Sequence, residues 1–179
     1  MKRTVGKSVL ELVEGDITAQ DTRAIVNAAN RSLLGGGGVD GAIHRAGGPA
    51  VLAECRTLGG CETGDAKITT GGNLGAEYVI HTVGPVYSGG SRGEPGQLAS
   101  CYRRSLEVAS GKGIGSIAFP SISTGAYRYP IDQAARIALE TVRDYLLEHP
   151  EIELVRFVLF GASAFEAYRK ALEEMPIKG

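Results

Sequence analysis

Ala24-Ile-Val-Asn-Ala-Ala-Asn30, then Arg31-Ser-Leu-Leu34, then Gly35-Gly-Gly-Gly-Val-Asp-Gly-Ala-Ile-His44 is the stretch on which the fold turns. A short apolar run, Ala24–Asn27, reads as a buried strand. Four consecutive glycines follow it, and a helix is expected over Val39–Ala46, ending at Gly47-Gly48-Pro49. Strand, glycine loop and helix in that order form a βα unit, and strands alternate with helices along the rest of the chain. Ser8–Glu14, Asp65–Thr70, Glu77–Val83, Ser116–Pro120 and Leu154–Phe160 read as further strands. Ala50–Leu58, Gln97–Ser110 and Ala162–Glu174 read as helices, with Ser88–Gly96 a glycine-rich loop. The clearest helix starts at Ile131, because Ala134, Ala135, Ala138, Leu139, Val142, Tyr145 and Leu146 fall on one face. Strands alternating with helices predict an α/β fold, a three-layer α/β/α sandwich around a central mixed, largely parallel sheet.

The chain has 179 residues, and with no internal repeat or long linker it reads as a single domain, residues 1–179. Nineteen basic residues against 20 acidic leave a formal charge of −1. That balance offers no electrostatic case for nucleic acid or an anionic membrane. No apolar run approaches the ~18 residues of a spanning helix, and Met1–Ser8 lacks the apolar core of a secretory signal. Three cysteines, Cys55, Cys61 and Cys101, form no CxxC pair, which argues against structural zinc or a disulfide framework. A cytoplasmic monomer without metal or cofactor is expected. Glycine supplies 26 residues, about twice the ordinary ~7%, and its clustering means that backbone approaches something closely in several places.

In open α/β sheets ligands bind outside the carboxyl ends of the strands. Two small-residue loops fall there, Gly35–Gly41 and Ser121–Tyr127. The first holds a formal GxGxxG at Gly36, Gly38 and Gly41. Seven residues separate it from the preceding strand, and no acid follows at the distance a dinucleotide fold requires, so alone it is weak. No P-loop occurs. The surviving argument is general: consecutive glycines let N–H groups face an anion, and a helix N-terminus adds partial positive charge. A flexible surface loop is the plain alternative.

Asp40 is either a helix N-terminal carboxylate or a group that orients water against an electrophile beside the anion. His44, four residues on, shares its helical face. Asn27 and Asn30 follow a strand and can read ribose hydroxyls or serve turns. Asp16 is an N-cap or an acceptor for an exocyclic amine. The hydroxyls of Ser123 and Thr124 either make local turn bonds or clasp a diphosphate. His81 reads as structural.

Taken in order, Gly15-Asp-Ile-Thr18, Ile25-Val-Asn-Ala-Ala-Asn30, Leu34-Gly-Gly-Gly-Gly-Val-Asp-Gly-Ala-Ile-His44, Ile80-His-Thr-Val-Gly-Pro85 and Phe119-Pro-Ser-Ile-Ser-Thr-Gly-Ala-Tyr127 resemble the macrodomain family, and within it the MacroD-type branch. The likeness runs from about Glu14 to Phe160. It implies an ADP-ribose cleft at the sheet's carboxyl edge, and a hydrolase that removes ADP-ribose from acidic side chains and deacetylates O-acetyl-ADP-ribose. By this resemblance Asp16 and the Ile17 backbone meet adenine, with Phe160 packing on it. Asn30 meets the distal ribose and belongs to the catalytic set with Asp40 and His44. Gly37, Gly38 and Val39 offer backbone to the diphosphate, and Ser123, Thr124, Gly125, Ala126 and Tyr127 close over it. Asp40 orients or activates water with His44 in support. Two departures bear on affinity: Arg128 replaces a glycine in Tyr127-Arg-Tyr-Pro130, and Ala126 is smaller than the branched residue common there. A non-catalytic ADP-ribose reader is the alternative, and a dinucleotide oxidoreductase a third.

Overall fold

The computed structural model describes residues 1–177. Strands β1 (Lys2–Val5), β2 (Ser8–Glu14), β3 (Ala24–Ala28), β4 (Ala66–Thr70), β5 (Tyr78–Thr82), β6 (Ser116–Phe119) and β7 (Leu154–Leu159) form one sheet. Their order is β1-β2-β7-β6-β3-β5-β4. The four central pairings, from β2 across to β5, are parallel, and the two outer ones are antiparallel. Five helices join them: α1 (Gly38–Gly47), α2 (Pro49–Leu58), α3 (Glu94–Gly111), α4 (Ile131–Glu148) and α5 (Ala162–Glu174). The sheet is the mixed, largely parallel one expected, and the helices lie on both of its faces.

Strand alternation decides which face holds what. On β3, Ala24 and Val26 join a large core with Leu98 and Tyr102 of α3, Leu139 of α4 and Tyr168 of α5. Ile25 points the other way, into a cluster with Ile43 of α1. On β5, Ile80 and Val79 divide in the same manner. Asn27 and His81 therefore share the α1 face. They are also register partners across the β3–β5 ladder.

Two local differences from the sequence expectation have clear causes. The polar opening residues form the edge strand β1, paired antiparallel with β2. An edge strand needs no alternating apolar pattern, so its sequence gives little sign of it. Helix α3 starts at Glu94 rather than at Gln97 because Glu94 folds the preceding loop. Its buried carboxylate accepts hydrogen bonds from the backbone N–H of Ser88, Gly90 and Arg92 at 2.8, 3.0 and 2.6 Å. Its own backbone N–H, together with those bonds, holds the Glu94 carboxyl down at about 2, and Pro95 fits the first helical turn.

The β3–β6 ladder contains only two Cα pairs, Ala24↔Ile117 and Ile25↔Ala118, against five between β3 and β5. The chain runs from β3 outward to β5, then returns to β6 on β3's other side. This is the topological switch at which α/β sheets open a crevice. The base of the β6 loop is anchored in the core. Tyr102 Oη accepts from Ile122 N at 3.1 Å, and Tyr168 Oη shares a 2.8 Å bond with Ser121 Oγ. The Tyr102 and Tyr168 rings pack with Phe119 and Phe157 at centroid distances of 5.0 to 5.8 Å. Burial pushes both phenols above their ordinary pKa, so both hydroxyls keep their protons. Replacing Tyr168→Phe keeps the ring and removes one buried hydrogen bond. The expected cost is about 1 kcal/mol, read as a lower melting temperature with unchanged far-UV circular dichroism.

Candidate functional site

The expected site residues collect at the carboxyl edge of the parallel strands. Asp16 follows β2, Asn30 and the glycine loop follow β3, Ser123–Tyr127 follow β6, and Phe160 follows β7. Helix α1 begins with Gly37 as its cap residue and has no side-chain cap, so its first-turn N–H groups are unclaimed by side chains. Gly37 and Gly38 are exposed and Val39 is half-buried. A macrodipole of roughly half a positive charge therefore faces the crevice.

Beneath that terminus lies a buried polar cluster. Asp40, in the first turn of α1, is 4% exposed. Its Oδ1 accepts from Asn27 Nδ2 at 2.8 Å. His44 Nε2 stands 3.3 Å from the same oxygen, though not aligned for a hydrogen bond. Asp40 Oδ2 is buried with no protein hydrogen-bond partner, and it faces Gly36. A Cβ on Gly36 would come 3.1 Å from that oxygen and 3.4 Å from Asn30 Nδ2. A Cβ on Gly41 would come 2.6 Å from the Gly36 carbonyl. Glycine at both positions lets the loop lie directly over the carboxylate.

Asn30 braces the same loop. Its Nδ2 donates to Gly35 O at 2.8 Å, and its Oδ1 accepts from Ser32 Oγ at 2.7 Å and Leu33 N at 3.2 Å. One amide hydrogen remains available. Asn27 is placed differently: it is fully buried, behind Asp40 and away from the cleft surface. Its second bond, at 3.1 Å, goes to His81 Nδ1. His81 Nε2 then meets Thr69 Oγ1 at 2.8 Å, with Cys55 Sγ 3.6 Å away. Sequence reasoning missed this link. The signal that carries it is the register pairing of residues 27 and 81, which no local pattern shows.

Asp16 caps a short 3₁₀ turn, Ile17–Ala19. Its Oδ1 accepts from Thr18 N at 2.8 Å and Thr18 Oγ1 at 2.7 Å, leaving Oδ2 free. The Ile17 side chain packs in the α1-side core. In the β6 loop, Thr124 Oγ1 donates locally to Ser121 O and Oγ. Ser123 Oγ is buried and unpaired. Gly125 and Ala126 are exposed, and the Tyr127 carbonyl accepts from Tyr87 N at 2.9 Å. Phe160, 89% exposed, rises at the rim of this edge with Leu34 and Val86.

Backbone strain is concentrated here. Among the described residues, the non-glycine positions with positive φ are Leu33 (62°), Ser123 (67°) and Arg128 (61°), all in the two cleft loops. Each such conformation costs of order 1–3 kcal/mol and persists where the surroundings over-determine it. Arg128 thus keeps the left-handed backbone that a glycine adopts without strain. A separate open hollow of about 520 Å³, lined in part by Gly64, Asp65, Gln97 and Arg104, shares no residue with this edge. Its charged groups are already paired, Arg104 Nε with Asp65 Oδ1 at 3.2 Å. Among the described residues no group of three His, Cys, Asp or Glu is placed to hold a metal, and no helix is long and apolar enough to cross a membrane.

Comparison with known proteins fits this architecture. Residues 26–138 match the family described as Macro domain. The O-acetyl-ADP-ribose deacetylase of Cronobacter sakazakii is 53% identical over 167 residues, covering 91% of this chain and 93% of that protein. The mouse ADP-ribose glycohydrolase MACROD2 is 51% identical over 176 residues, 97% of this chain but 37% of that longer protein. Among solved structures, the Oceanobacillus iheyensis macrodomain with ADP superposes with a TM-score of 0.93 at 46% identity, covering 97% of this chain and 94% of that one. The chain belongs to the macrodomain family, in accord with the MacroD-type resemblance of its loops.

His81 links this cluster to stability. Burial, reinforced by the nearby His44, lowers its pKa from 6.5 to about 3. The unfolded chain then binds more protons between those values, so stability is full above pH 6.5 and falls as the pH drops toward 3. The expected loss from this group is about 2 kcal/mol between pH 7 and pH 5. Urea denaturation at those two pH values measures it, and His81→Asn should flatten the dependence.

Proposed function

We propose that this chain is an ADP-ribose-binding hydrolase, acting as a cytoplasmic monomer, that removes ADP-ribose from acidic side chains and deacetylates O-acetyl-ADP-ribose. The observation that carries the proposal is Asp40: a buried carboxylate with one oxygen held by Asn27 and the other unpaired beneath the glycine loop. An orphaned buried oxygen costs about 1–3 kcal/mol, a burden that a reader of ADP-ribose has no reason to carry. The naming of relatives as a deacetylase and a glycohydrolase supports the same activity. Cys55, Cys61 and Cys101 are free and buried, which suits a reducing compartment.

In this assignment the diphosphate lies against the N–H groups of Gly37, Gly38 and Val39 at the α1 terminus. Ser123, Thr124, Gly125, Ala126 and Tyr127 close from the β6 side. The free Oδ2 of Asp16 accepts from the adenine amine, with the Ile17 backbone beside it and Phe160 covering the ring. The spare amide hydrogen of Asn30 meets the distal ribose. A small shift of the glycine backbone admits water to Asp40 Oδ2, which orients it and takes its proton as the oxygen attacks the ester's carbonyl carbon; the ester C–O bond then breaks, and the departing ribose oxygen takes the proton from Asp40 and leaves as a hydroxyl. His44, 3.3 Å away, offsets charge on Asp40 when its ring is protonated. The carboxylate that accepts the water's proton is thus placed beside, not among, the phosphates, where carboxylate and diphosphate would repel.

The deciding experiment is release of ADP-ribose from a protein modified on Glu or Asp, followed by mass spectrometry for wild type and Asp40→Ala. Release by wild type alone, with ADP-ribose still bound by the variant in calorimetry, is the expected result. Tight binding without release by either protein would make the chain a reader. A second variant, Gly36→Ala, sets a methyl 3.1 Å from Asp40 Oδ2. Its turnover should fall at least about tenfold and at most by the roughly 10²–10⁴-fold that a positioned acid–base group supplies, while thermal stability changes little.

A further inference from the structure

The Asn27–His81 contact fixes more than it first shows. Asn27 Nδ2 carries two hydrogens and no lone pair, and it lies 2.8 Å from Asp40 Oδ1 and 3.1 Å from His81 Nδ1. Both groups must accept. His81 Nδ1 is therefore bare, and the ring hydrogen sits on Nε2, where Thr69 Oγ1 receives it at 2.8 Å. The Thr69 hydroxyl passes its own hydrogen to Thr70 O at 3.0 Å. The opposite amide orientation would set Asn27 Oδ1 against the Asp40 carboxylate. That repulsion at 2.8 Å fixes the amide, and the amide in turn fixes the tautomer of His81.

We propose that His81 is a positioning residue for Asp40: its bare Nδ1 locks the Asn27 amide so that Asn27 donates to Oδ1 and Oδ2 is left as the free carboxylate oxygen. The proposal rests on the assignment of Asp40 above. The other groups facing the ring are His44, at a centroid distance of 6.3 Å, and Cys55 Sγ, 3.6 Å from Nε2. Neither is hydrogen-bonded to the Asn27 amide, whose Nδ2 has Asp40 Oδ1 and His81 Nδ1 as its partners. Burial keeps the ring neutral and so preserves the bare nitrogen. The chain of bonds runs from the α2-side edge of the sheet to the carboxylate through two register-paired strand residues. A rigid sheet thereby sets the aim of a helix side chain.

Steady-state kinetics on O-acetyl-ADP-ribose and calorimetry with ADP-ribose test the proposal in His81→Leu and His81→Asn, with Asp40→Ala alongside. Leucine fills the site without an acceptor, whereas asparagine can place an oxygen near the Nδ1 position. The expected result is a fall in kcat on the order of tenfold or more for the leucine variant. Its ADP-ribose Kd should stay within about twofold of wild type, and asparagine should restore most of the loss. Equal defects in both variants, or a leucine variant turning over like wild type, overturn the proposal. Should the leucine variant fail to fold, 15N NMR of the wild-type ring decides. Nδ1 unprotonated and Nε2 protonated across pH 5–8 supports it, and a proton on Nδ1 overturns it. Full turnover by Asp40→Ala would instead reject the Asp40 assignment, a result distinct from any at the ring.

Discussion

The β3–β6 pairing ends after Ala24↔Ile117 and Ile25↔Ala118, and the cleft follows from that early stop. Beyond it the two strands feed separate loops, one rich in glycine and one tied to the core by tyrosine hydroxyls. Parallel pairing aligns the carboxyl ends of β2, β3, β6 and β7 on one edge. A continued ladder would have closed the opening between the loops with backbone hydrogen bonds. The helices are secondary to this constraint. Helix α1 enters the opening by its N-terminus because the loop after β3 turns the chain back over the sheet edge.

Charge placement follows from the same geometry. An uncapped helix terminus invites an anion, yet Asp40 sits in its first turn. The conflict is eased by depth: the carboxylate turns into the protein, takes a donor from Asn27 and lies under glycine rather than beside the open N–H groups. Open N–H groups and a buried carboxylate thus share one helix end without competing for one volume. The three left-handed residues Leu33, Ser123 and Arg128 mark where the loops bend to permit it. Their strain is borne by a core with aromatic rings of α3, α5, β6 and β7 in mutual contact.

Much of this was legible in the sequence. Apolar runs gave the interior strands, since β3, β5 and β6 are buried on both faces, and spacings of three and four gave α4. The glycine loop, Asp40 and His44 were visible because they lie close together along the chain. The edge strand β1 was not visible, since a strand with one exposed margin needs little apolar character. Helix α3 began earlier than expected because Glu94 caps a loop with its own side chain. Hardest to see was the bond between Asn27 and His81. It joins residues 54 apart and depends on register, a property of the assembled sheet rather than of any segment. For the same reason Asn27 looked like a surface reader of ribose, while the structure gives both its amide hydrogens to buried partners.

The cysteines carry a practical consequence. Burial pushes the thiols of Cys55, Cys61 and Cys101 up to about 11. At neutral pH roughly one thiol in ten thousand is then ionised, and the thiolate is the reactive form. Peroxide and maleimide reagents meet a nearly inert background. A single cysteine installed at the exposed Phe160 rim would take a fluorescent label selectively. The cleft could then be watched as it fills, with no native thiol removed.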